Sequence, residues 1–247
     1  QNRLTGTFLT ETGDYRYLEG TVQANKLYLS GFDGANMFLF EALIREDGTL
    51  SGVFRNGIHA LTSWSGKRNE NFKLKNADSL TYLIDKKPIS FKLPDENGQL
   101  ISLDDDQFYG KAKVIQLMGT WSSNCVDQSK FIVDFMQKND TKDLAIIGLA
   151  FERHQNKDQA RAAIRRFRDK LSIPYPILYA GSDDLKEASR IMAQFSEIKS
   201  YPTLIFLNKE NNVVRIYTGF SGPATSHYAS YISDFEETIK SLLDNDL

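Results

Sequence analysis

Gly119-Thr120-Trp121-Ser122-Ser123-Asn124-Cys125 leaves one apolar run and enters another. The run before it, Lys113 to Met118, has the length and composition of a buried strand, and Val126 to Gln137 after it reads as a helix. The next stretch, Leu144 to Phe151, is apolar throughout, as strands covered on both faces in α/β proteins are. From Asp158 to Leu171 the apolar positions are Ala160, Ala163, Ile164, Phe167 and Leu171, one stripe of a helix. A strand over Tyr175 to Tyr179 and a helix over Leu185 to Phe195 follow. Strands Thr203 to Leu207 and Val213 to Tyr217 make a hairpin around Lys209 to Asn212, and a helix covers Tyr228 to Leu243. Upstream, Ile89 to Leu93 and Leu100 to Leu103 form a hairpin turning at Asp95-Glu96-Asn97-Gly98. The expected class for this half is α/β.

The other half reads differently. Turn signals at Thr12-Gly13-Asp14, Asp33-Gly34-Ala35, Asp47-Gly48 and Asn56-Gly57 separate short aromatic and β-branched runs. Leu27 to Ser30, Met37 to Arg45, Leu50 to Arg55 and Ile58 to Trp64 are the better strands, so a separate all-β antiparallel domain is expected. These few strands also fit a piece of a larger β-domain, and the sequence leaves truncation open. The charged, proline-ended stretch Asp85-Lys86-Lys87-Pro88 reads as a joint, giving a β-rich domain over 1–86 and an α/β domain over 87–247.

Composition narrows the function classes. The 247 residues are 41% hydrophobic, 25% charged and 12% aromatic, enough for packed cores and against intrinsic disorder. A formal net charge of -2 gives no electrostatic reason to expect a nucleic-acid partner. No apolar run reaches the roughly 20 residues that span a bilayer, and Gln1 opens no signal peptide in the given sequence. The single cysteine, Cys125, excludes an internal disulfide and argues against a cysteine-built zinc site.

Two motifs in order, Trp121 to Cys125 and Tyr201-Pro202-Thr203, resemble the thioredoxin superfamily. The preceding hairpin, the long insertion between Leu144 and Tyr201, and Thr218-Gly219-Phe220-Ser221-Gly222-Pro223 narrow the resemblance to envelope thiol-disulfide oxidoreductases of the TlpA and ResA type, including relatives with an N-terminal β-domain. The resemblance implies a thioredoxin-like fold over residues 87 to 247, with no cofactor and no metal. It also implies a protein or peptide thiol/disulfide substrate, a membrane reductase as a further partner class, and a place in the periplasm or cell envelope. The family motif is Trp-Cys-x-x-Cys. This chain departs from it, because Ser122 stands where the resemblance places the attacking cysteine, and Cys125 takes the resolving position.

That departure leaves several readings open. A hydroxyl is scarcely ionised at neutral pH and cannot form the mixed disulfide through which exchange proceeds, so dithiol exchange is expected to be absent. Ser122 is either native, in a chain kept for binding peptides or proteins, or a replacement of cysteine. Cys125 reads first as an inert buried thiol. A one-cysteine peroxidase of the peroxiredoxin type would use Cys125 with Ser122 as a hydrogen-bonding residue, but Met118 stands where that motif wants proline. By resemblance, Pro202 follows a cis bond and Tyr201 presents its backbone to an extended peptide, with Trp121 shielding the turn and Thr203 opening the adjacent strand. Gln116, six residues before Ser122, cannot titrate where thioredoxins hold an acid. Glu152 could reach the active face, although a solvated strand end is the plainer expectation. His59, His154 and His227 have no metal-ligand spacing; Arg161, Arg165 and Arg168 read as a solvated helix face; Asp104-Asp105-Asp106 reads as a capping turn.

Overall fold

The structure is a computed structural model that describes residues 3–58 and 60–244. It divides into two compact units. One comprises residues 1–74 with 221–228, the other residues 75–220 with 229–247.

The first unit is an antiparallel meander. Strands β1 (Arg3–Gly6), β4 (Leu18–Gln23), β5 (Lys26–Phe32), β6 (Met37–Ile44), β7 (Leu50–Asn56) and β8 (Ala60–Gly66) lie in the order β1-β4-β5-β6-β7-β8, and the short pair β2 (Leu9–Thr10) and β3 (Gly13–Asp14) forms a separate ribbon. Alternation puts Leu27, Leu29, Phe38, Phe40, Phe54 and Trp64 on one face, where they enclose a small core with Leu18, Phe8 and Tyr15. Its rings are closely packed: Phe40 stacks on Phe54 at 4.4 Å, and Tyr15 meets Phe40 edge-on at 5.3 Å. Strand β4 carries weaker sequence signals, since its turn to β5 is made by Ala24-Asn25 without a glycine.

In the second unit a 3-10 turn over Ala77–Ser79 precedes a hairpin, β9 (Lys92–Pro94) and β10 (Leu100–Ser102). Strand β11 (Ala112–Met118), helix α1 (Ser123–Lys138), strand β12 (Leu144–Glu152), helix α2 (Lys157–Leu171), strand β13 (Ile177–Ser182), helix α3 (Leu185–Ile191), strands β14 (Thr203–Leu207) and β15 (Val213–Thr218), and helix α4 (Tyr228–Asp244) follow. The sheet order is β13-β12-β11-β14-β15, with β11, β12 and β13 parallel and β14 and β15 antiparallel to their neighbours. This is a thioredoxin-like α/β fold. Strands β11 and β12 are buried at every residue, which is why their sequences are mostly apolar, with Lys113, Gln116 and Glu152 as buried polar exceptions. Helices α1 and α4 meet through Phe131, Phe135 and Phe235, with ring centroids 5.0 and 5.1 Å apart, and Phe206 of β14 closes the cluster at 5.8 Å.

Three local expectations need correction. The third sheet strand runs over Ile177–Ser182 instead of Tyr175 to Tyr179, because Pro176 has no N–H to give the ladder and instead accepts from Gly148 N through its carbonyl at 2.9 Å. Helix α3 stops at Ile191 instead of Phe195. Beyond it the chain pairs with the incoming segment: Ile84 N donates to Gln194 O at 2.8 Å, Ser196 N to Tyr82 O at 2.8 Å, and Leu83 bridges Phe195. The same pairing fixes the Asp85 to Pro88 stretch, read above as the joint, within the second unit. Gln194 Nε2 donates to Lys87 O at 2.9 Å, and Arg215 holds Asp78 through two hydrogen bonds of 2.8 and 3.0 Å. The division by contacts therefore lies at residues 74 and 75, upstream of residue 86.

Candidate functional site

The turn between β11 and α1 is built around Gly119. A Cβ there would come within 2.3 Å of Trp121 Nε1 and 3.0 Å of Phe151 O, so only glycine lets the indole fold back on the strand ends. Trp121 Nε1 donates to Phe151 O at 3.0 Å. Ser122 N donates to Gly119 O at 3.1 Å, closing the turn, and Val126 N donates to Ser122 O at 3.0 Å, opening the helix. Ser122 is the N-cap of α1, with extended backbone and its hydroxyl accepting from Cys125 N at 3.4 Å. It is half-buried, whereas Cys125, one turn further in, is fully buried. Burial pushes the Cys125 thiol up to about 12; hydrogen bonds from Ser122 and the Gly119 backbone oppose this, and the charge of Glu152 adds to it.

Beside Cys125 lies a buried polar network without a carboxylate. Gln116 Nε2 donates to Gln128 Oε1 at 2.9 Å, and Gln128 Nε2 donates to Tyr231 Oη at 3.1 Å. Ser129 Oγ and Tyr175 Oη both donate to Gln116 Oε1, at 3.2 and 3.3 Å. Gln116 is thus a structural amide whose oxygen accepts twice and whose nitrogen donates to Gln128. Gln128 was missed in the sequence, though its position three residues after Cys125 puts both on one helix face.

The far end of β12 supplies the other wall. The β12–β13 register shifts between Ala150 and Phe151, where Ala180 is the extra residue on β13 and Phe151 faces Gly181, whose φ is 137°. Glu152 is buried instead of solvated. Its Oε1 accepts from Thr120 N at 2.9 Å and its Oε2 from Thr120 Oγ1 at 2.8 Å, while burial raises its carboxyl above the usual range. Tyr201 stacks on Phe151 at 5.2 Å and meets Trp121 edge-on at 6.1 Å, bringing the Tyr201-Pro202 segment to the turn. The Tyr201–Pro202 bond is cis, and Pro202 O accepts from Gly219 N at 2.8 Å. Thr203 is fully buried and its hydroxyl donates to Ser200 O at 2.9 Å. Arg153, which the sequence reading passed over, lies over Trp121 at 3.9 Å from the ring centroid and reaches Asp183 at 3.3 Å. Ser122, Cys125, Trp121, Glu152, Tyr201 and Pro202 therefore come together, with Thr203 just beneath.

Other expectations fall outside this site. Arg165 and Arg168 are not merely solvated: Arg168 pairs with the buried Glu96, and Arg165 donates to Glu96 O at 2.9 Å, so α2 grips the β9–β10 turn. Asp105 takes the N-cap position of a short 3-10 turn over Asp106–Phe108, but its side chain accepts from Ser102 N at 3.0 Å instead of capping. His59 lies outside the described residues. Among the described residues no three His, Cys, Asp or Glu side chains group to hold a metal ion, and no helix is long and apolar enough to cross a membrane.

Chemically, the turn offers a hydroxyl at a helix N-terminus, a sealed thiol, a buried carboxylate and an aromatic wall. The Redoxin family model matches residues 83–232, well over half of the chain. Among solved structures, a hypothetical protein from Sinorhizobium meliloti shares the fold at 13% identity, covering 66% of this chain and 85% of that one with a TM-score of 0.52. A thiol:disulfide interchange protein of the thioredoxin family from Chlorobium tepidum is 18% identical, with 64% and 96% covered and a TM-score of 0.47. A thiol-disulfide oxidoreductase from Bacteroides fragilis is 17% identical, with 60% and 99% covered and a TM-score of 0.44. Comparison with curated protein sequences returns no match.

Proposed function

Because this chain belongs to the Redoxin family, we propose that it is a thiol-disulfide oxidoreductase of the TlpA and ResA type whose attacking position is Ser122, so that it binds a partner without exchanging a disulfide. The observation that carries this reading is the contrast across one helical turn. The half-buried group at the helix N-terminus is a hydroxyl, and the only thiol is sealed beneath it. The helix N-terminus would favour a thiolate at position 122, but a hydroxyl there has no comparable ionised form. The partner in this reading is an extended peptide or protein segment lying against Trp121, Tyr201 and the Pro202-Thr203 backbone, in the periplasm or cell envelope, with a membrane reductase as a further partner class.

Burial of Cys125 speaks against the peroxidase alternative. With its thiol pushed up to about 12, the thiolate is scarcely populated at pH 7. The test is insulin reduction driven by dithiothreitol, with hydrogen peroxide consumption measured in parallel. Both should run at the background rate for the chain as it stands. Catalysed reduction that disappears in Cys125→Ala would overturn the reading, and Cys125-dependent peroxide consumption would replace it with the peroxidase.

A further inference from the structure

We infer that Glu152 is a positioning residue for the Gly119 to Ser122 turn, its two carboxylate oxygens fixing the backbone and hydroxyl of Thr120 so that Trp121 and residue 122 are presented to an incoming segment. This rests on the reading of that turn as the docking site. A loop residue whose N–H and hydroxyl are both claimed by one carboxylate has lost its local freedom, and the carbonyl of the preceding residue, Phe151, holds the indole of the next residue in the turn. Strand β12 thus secures two consecutive residues of the turn from two consecutive residues of its own end. Within the turn, the bond from Ser122 N to Gly119 O sets the backbone path through Thr120 and Trp121 but leaves the Thr120 N–H and hydroxyl to be taken by Glu152.

The arrangement places a carboxylate where folding alone does not favour one. Glu152 is 1% exposed, and burial raises its carboxyl despite the two hydrogen bonds from Thr120. The groups around it are Cys125 of α1, Tyr179 of β13, Asp183 after β13, and His154 and Arg153 on its own strand's continuation. Arg153 is turned outward onto Trp121 and Asp183, so the cation nearest in sequence does not cover the carboxylate's hydrogen bonds to Thr120. Protonation at Oε2 would reverse the bond to Thr120 Oγ1, the carboxyl then donating and the hydroxyl accepting, while Oε1 goes on accepting from Thr120 N, so the turn would feel the loss of charge with its anchors kept.

The test uses the full ¹⁵N-labelled chain with serine at position 122, and it reads the Thr120 amide and the Trp121 indole N–H across pH. Both resonances should move together with a single midpoint above the ordinary carboxylate range. Glu152→Gln should abolish that titration while keeping the Thr120 amide protected from hydrogen exchange. Glu152→Ala should speed Thr120 exchange at least about tenfold relative to the parent. A titration that survives in Glu152→Gln, or a Thr120 amide equally protected in Glu152→Ala, would overturn the inference. Should the alanine variant fail to fold, the parent and glutamine titrations decide the matter. Thiol chemistry plays no part in these readouts, so they can fail while the proposed function stands, and the reverse.

Discussion

At position 125 the thiol lies in the sealed interior of α1, and the consequence is kinetic silence. Its reaction with iodoacetamide at pH 8 should run about 10³-fold slower than that of free cysteine, because so little of it is thiolate. In denaturant the same chain should take up one equivalent at the ordinary rate. Glu152 gives a second prediction. Its folded-state carboxyl is raised, so its contribution to stability is fully present below the unfolded value near 4.5 and is lost as pH rises through the folded one. At neutral pH its charge works against folding. Glu152→Gln should therefore melt at the same temperature as the parent or higher at pH 7, and the advantage should vanish at pH 4. A marked loss of stability at pH 7 would mean that Glu152 is retained for folding and not for the turn. At this scale the sequence was partly legible: Ser122, Cys125 and Pro202 stand out by type and order. The role of Glu152 did not, because its partner Thr120 lies 32 residues away.

Among the elements, α1 and α2 carry separable loads. Ser122 caps α1 through a long hydrogen bond to Cys125 N, and Ser122→Ala should cost about 0.5 to 1 kcal/mol in urea unfolding. Helix α2 was legible from its apolar stripe, and it runs over Lys157–Leu171 much as the spacing predicts. What the stripe could not reveal is the work of its polar face. Arg168→Ala would leave the buried Glu96 carboxylate without its cation, the hydrogen bond from Asn97 Nδ2 at 3.2 Å remaining. Since Arg168 is partly exposed, the loss should be about 2 kcal/mol, below the range for a fully buried pair. Glu96→Gln, which removes the stranded charge, should cost less. Equal losses would mean that packing and not charge pairing holds the hairpin turn. Helix α3 was over-extended in the sequence reading because Met192 and Phe195 continue its apolar pattern, while the backbone there is claimed by Tyr82 and Ile84. Nothing in the local sequence announces a partner more than a hundred residues upstream.

For the whole molecule, the two folding units were legible as a change of period, from hairpins to buried strands and helices, but the point of change was not. Charged, proline-ended sequence suggested residue 86, whereas hydrogen bonds from residues 78 to 89 tie that stretch into the second unit. We therefore expect trypsin to cut first between Lys67 and Lys75, where the chain has no regular structure. First cuts at Lys86 or Lys87 would instead favour the later joint. The central claim, that Ser122 occupies the attacking position of a redox turn, is tested most directly by counting free thiols in Ser122→Cys after treatment with oxidised glutathione. Residues one helical turn apart lie within the roughly 4.4 to 6.8 Å between Cα atoms that a disulfide spans. The account predicts that both thiols are lost to one intramolecular disulfide, their two electrons reducing one oxidised glutathione to two thiols. A folded variant that keeps Cys125 free, with glutathione held at position 122 or with no reaction at all, would contradict it.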